Sequence, residues 1–78
     1  MSFFINCPNC QMNIEILQIN CRIFRCGILK DEFTQIDPHL PKDKCDNLVS
    51  NNLIFGCGKP FELINIDNEW IPFPCDYI

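Results

Sequence analysis

Basic residues are few in this chain, with six lysines and arginines against ten acidic residues, a net charge of −4 and an isoelectric point of about 4.6. The six are scattered as Arg22, Arg25, Lys30, Lys42, Lys44 and Lys59, so no basic patch forms to grip a phosphate backbone, and nucleic acid is a poor partner. Long apolar runs are also missing: none approaches the roughly 20 residues that a membrane-spanning helix needs. The opening segment Met1 to Asn6 shows no basic n-region, no apolar h-region and no small-residue cleavage site of a secretory leader, which reads as an intracellular start. Repeats, low-complexity tracts and Gly/Ser-rich linkers are absent as well, and the expectation is one domain over residues 1–78.

Cysteine is what the chain has in excess, seven in 78 residues. A chain this short buries only about 60% of its unfolded surface, so its core is marginal and needs a staple. An odd cysteine count leaves a thiol over in any fully paired disulfide scheme, and no leader points to an oxidising compartment. Both favour Zn²⁺ over a disulfide framework.

The pattern along the chain is mainly that of β-strands with one short helix. Phe3 to Asn6 suits a strand entering the turn Cys7-Pro8-Asn9-Cys10. Asn13 to Leu29 is rich in β-branched and aromatic residues, but its alternation changes phase, which predicts short strands with a bend at 18–20. Cys21 falls in phase with Ile19 and Ile23 and reads as a buried apolar residue. Gly27 to Leu40 reads as an exposed loop or hairpin. A helix is expected over 41–50, with Pro41 in its first position, Asp43 near the positive end of its dipole, and Cys45, Leu48 and Val49 spaced to face inward. Asparagine at 51–52 suits a left-handed cap. Leu53 to Phe55 and Phe61 to Ile66 read as strands, Asp67-Asn68 as a turn, and Pro72 and Pro74 as the end of regular pairing after Trp70-Ile71.

The metal chemistry centres on Cys7 and Cys10, because thiolates two residues apart can bind one tetrahedral Zn²⁺ from a single turn. A second C-x-x-C is missing, so the other ligands come singly. Cys57, flanked by Gly56 and Gly58, resembles half of a zinc knuckle. Cys45, on the inner helix face, completes the expected set Cys7, Cys10, Cys45 and Cys57, with core packing as its competing role. His39 and Cys26 are the alternatives, and Cys75 reads as a free thiol. A structural site of this kind calls for backbone N–H groups of the Gly56 to Gly58 turn, or Lys44 or Lys59, close to the sulfurs.

The segments Cys7-Pro8-Asn9-Cys10, Asn20 to Gly27, Pro38-His39 with Lys42 and Cys45-Asp46, and Gly56 to Phe61 resemble small uncharacterised zinc-ribbon-like proteins of giant viruses and phages. Where that pattern has histidine, this chain has Cys26, an exchange that keeps ligand ability. The resemblance implies a zinc-ribbon-like architecture and a viral origin, with the protein in the host cytoplasm or the virion, and brings no firm activity with it. The function expected is a non-catalytic zinc-binding module that meets another protein. A hydrolase-like zinc enzyme with His39 near the metal is the alternative, and a nucleic-acid-binding ribbon a further one.

Overall fold

The computed structural model describes residues 3–17, 19 and 21–77. It is a small, mainly β structure of short antiparallel sheets with one helix. Strand β1 (Phe3–Asn6) pairs with β2 (Asn13–Ile16) as a hairpin, with Ile5 opposite Ile14 and Phe3 opposite Ile16. Residues directly opposite in an antiparallel pair share a face, which puts Phe3, Ile5, Ile14 and Ile16 together on the core side. Cys7 to Met12 form the loop of this hairpin, closed by Cys7 N–H donating to the Met12 carbonyl at 2.8 Å and Gln11 N–H to the Cys7 carbonyl at 2.8 Å.

A second sheet runs in the order β3 (Ile23–Arg25), β6 (Pro60–Ile66), β7 (Glu69–Pro74). Phe24 and Phe61 face each other across β3 and β6 with their rings stacked at 5.6 Å. Between β6 and β7, Asp67 and Asn68 both take positive φ, 51° and 67°, the conformation of the two-residue hairpin turn whose twist matches that of the strands. Pairing continues through Pro72 and Pro74 and does not stop at them as the sequence suggested. β7 is an edge strand, and both prolines occupy the same alternate register positions, opposite Leu63 and Phe61, where the missing N–H removes no ladder bond.

The remaining arm pairs β4 (Ile28–Leu29) with β5 (Ile54–Phe55) and carries the helix α1 (Lys42–Ser50). Pro41 caps the helix from an extended conformation, one residue earlier than its expected first helical position. Its other end closes with Asn52 N–H on the Val49 carbonyl at 3.0 Å and Leu53 N–H on the Leu48 carbonyl at 2.9 Å. With Asn52 at φ 55°, this is the Schellman closure that returns orphan carbonyls to the chain. Val49 is largely exposed, while Cys45 is fully buried.

Two cores result. The larger joins Ile5, Cys7, Ile14, Ile16, Cys26, Phe61 and Leu63, with Met12, Phe24 and Trp70 packed against them. The smaller joins Ile36, Cys45 and Ile54, with Leu40, Leu48 and Tyr77 against them. Gly27 to Leu40 is thus only partly an exposed loop, since Ile36 enters the second core.

Candidate metal centre

Four cysteines meet where the β1–β2 loop approaches the junction of β3 and β6. The Sγ atoms of Cys7, Cys10, Cys26 and Cys57 all lie within 4.8 Å of one another. Cys7 and Cys10 come from the hairpin loop. Cys26 directly follows β3, and Cys57 lies in the turn between β5 and β6. Pairing of β3 with β6 explains why the last two coincide, because Cys26 N–H donates to the Lys59 carbonyl at 3.1 Å and Gly58 N–H to the Cys26 carbonyl at 2.7 Å. The two halves are tied together by Asn9, whose Nδ2 donates to the Pro60 carbonyl at 3.2 Å.

The spacing suits one metal ion. Cys7 Sγ is 3.8 Å from Cys57 Sγ, and Cys10 Sγ is 3.6 Å from Cys26 Sγ. A tetrahedron with metal–sulfur bonds of about 2.3 Å has edges of about 3.8 Å. The backbone supplies donors to the sulfurs in the way that holds thiolate ligands still. Asn9 N–H points to Cys7 Sγ at 3.3 Å. The amides of Met12, Cys57 and Lys59 serve Cys10, Cys26 and Cys57 respectively. The donors expected from the Gly56 to Gly58 turn are therefore represented by Cys57 itself, and Lys59 contributes its backbone amide.

Four thiols at this spacing cannot all ionise without a cation. Burial, followed by the neighbouring Cys7 and Cys10 sulfurs, pushes the Cys57 thiol up to about 11. Burial likewise drives Cys26 far above the ordinary thiol range. Cys10 moves the other way: burial opposes ionisation there too, but the Met12 amide and the adjacent thiols outweigh it. A bound dication reverses this balance by supplying the charge that the thiolates lack. Cys7 and Cys26 are fully buried, Cys57 is half-buried and Cys10 reaches solvent.

Cys7, Cys10 and Cys57 thus meet as expected, and the fourth sulfur is that of Cys26. Cys45 is not brought to them. It packs in the second core, its Sγ directed to the Leu40 carbonyl at 3.6 Å beside the Arg25 guanidinium. Helical spacing showed that Cys45 faces inward but not into which of two cores it does so. For Cys26 the sequence offered only its standing as an alternative ligand beside His39. His39 also lies outside the cluster, with Nε2 3.0 Å from Cys21 Sγ. Cys21 is exposed and not buried as its phase with Ile23 suggested, because Arg22 at φ 68° turns the chain just before β3.

The described residues contain no helix long and apolar enough to cross a membrane. No protein-family model matches the chain, and no curated protein or solved structure matches it.

Proposed function

We propose that Cys7, Cys10, Cys26 and Cys57 hold a structural Zn²⁺ ion, and that the protein is a non-catalytic, zinc-ribbon-like module that presents a surface to another protein. The observation that carries the reading is the four-sulfur cluster itself, with edges of 3.6 and 3.8 Å, built from three chain segments and ringed by backbone donors. Thiolate sulfur in this geometry selects Zn²⁺ among the abundant divalent ions, which otherwise prefer oxygen. Four ligands leave no coordination position for a reacting water, which is what separates a structural from a catalytic zinc.

A protein partner is supported by apolar side chains that the fold leaves outside. Phe33 is 76% exposed in the 29–34 turn, and Leu53 and Phe55 are exposed on the same β4–β5 arm. The C-terminal aromatics contribute less to such a surface, because Trp70 packs on the larger core and Tyr77 on the smaller, its hydroxyl donating to the Gly58 carbonyl at 3.1 Å. The scattered basic residues again weigh against nucleic acid, and an intracellular, viral setting follows from the resemblance described above.

Elemental analysis after gel filtration tests the site. One zinc per chain, lost in Cys26→Ser and Cys57→Ser and kept in Cys45→Ser, is the expected result. A metal-free protein with intact fold would overturn the reading.

A further inference from the structure

Outside the four-sulfur cluster, two further metal-ligating side chains stand together. Cys21 Sγ and His39 Nε2 are 3.0 Å apart, although 18 positions separate them in the chain, and both residues are exposed. Each is placed by its backbone. Arg22 at φ 68° turns Cys21 out of the line of β3, and His39 N–H donates to Asp37 Oδ1 at 2.8 Å, which fixes the turn that carries the imidazole. His39 is the single histidine of the chain.

We propose that Cys21 and His39 are one half of a second metal site, completed by the same two residues of a second copy, so that a thiophilic divalent ion bridges a symmetric dimer. This goes beyond the function proposed above and does not depend on it. A thiolate with an imidazole is the donor pair that suits Zn²⁺, and two such pairs make a closed Cys₂His₂ tetrahedron. One chain supplies only half: among the described residues no third His, Cys, Asp or Glu ligand atom joins this pair within 4.8 Å. A twofold contact doubles whatever lies on its axis, so a two-ligand surface pair becomes a four-ligand site without any further residue.

The geometry permits it. Metal bonds of about 2.3 Å to sulfur and about 2.0 Å to nitrogen set an S–N edge of about 3.5 Å, so the pair opens by about half an ångström, within side-chain rotation at an exposed position. Coordination replaces the two Sγ–H protons, which pass to solvent, with two metal–sulfur bonds. A dication therefore adds no net charge to the joined chains. One residue before His39, Pro38 helps line a hollow of about 230 Å³ whose walls mix Leu17, Phe24 and Ile36 with Arg25, Gln35 and Asp37, and Leu17 is 63% exposed, so the facing copy would meet a mixed apolar and polar surface there.

The test is a titration of the protein as isolated with ZnCl₂, followed by calorimetry and by sedimentation equilibrium. The expected result is uptake that saturates at half an ion per chain, with a twofold rise in mass. Cys21→Ser and His39→Gln, both at exposed positions, should keep the fold and the metal of the buried cluster but lose the extra uptake and stay monomeric. Three results would overturn the proposal: no uptake at the half-equivalent, uptake of one ion per chain at unchanged mass, or doubling in the two variants equal to that of the parent.

Discussion

Gly56 lies against Cys26 so closely that a Cβ on it would sit 2.7 Å from the Cys26 carbonyl oxygen and 3.0 Å from Cys26 Sγ. Its φ of 109° is also closed to other residues. The approach of these two backbones sets Cys57 beside Cys26. Gly56→Ala should therefore destabilise the fold by about 2–3 kcal/mol and loosen the metal. Gly58→Ala, whose Cβ would meet the movable Val49 Cγ2 at 2.8 Å, should cost less. Urea unfolding of both, with chelator competition for the metal, checks the order, and equal losses would count against it.

Serine exchanges at two equally buried cysteines should separate a ligand from a packing residue. Cys26→Ser removes one corner of the tetrahedron and should abolish the cooperative fold, since binding free energy of a structural metal is folding free energy. Cys45→Ser keeps a donor for the Leu40 carbonyl, which lies 3.6 Å from the native Sγ, and should cost about 1–2 kcal/mol with the metal retained. A fully loaded, folded Cys26→Ser protein would be incompatible with the site described.

Removal of the metal by a chelator should unfold the larger core, because Cys7 and Cys26 belong both to the cluster and to that core. The circular-dichroism signal should fall in step with released metal and return when zinc is restored. A fold that persists after complete removal would mean that apolar packing alone suffices.

The β6–β7 turn carries residues with positive φ at both central positions, and Asn68 at 67° is one of them. Glycine adopts this conformation without steric cost, so Asn68→Gly should stabilise the hairpin by up to about 1 kcal/mol. For a domain of this size that corresponds to a rise of roughly 4–8 °C in Tm. Differential scanning calorimetry reads it directly, and a fall in Tm would show that the Asn68 side chain matters in some other way.

Local patterns in the chain determined its local elements. Phe3–Asn6 as a strand, the helix ending at Ser50, the asparagine cap and the strand ending at Ile66 before Asp67-Asn68 all follow from residue types that act within a few positions of themselves. The C-x-x-C pair was legible for the same reason, since one turn contains both thiols. Glycines on either side of Cys57 marked a tight turn, and that turn does deliver a sulfur to the cluster.

Choosing between Cys26 and Cys45 was a different kind of question. Both are fully buried, and both lie near elements whose phase the sequence discloses. What separates them is that β3 pairs with β6, which carries Cys26 to the Cys57 turn, while α1 folds onto β4–β5 and takes Cys45 into the other core. Strand pairing and the division into two cores are long-range choices whose energy comes from surfaces far apart in the chain. Periodicity reports which side of an element is apolar, and only the tertiary structure decides what that side meets.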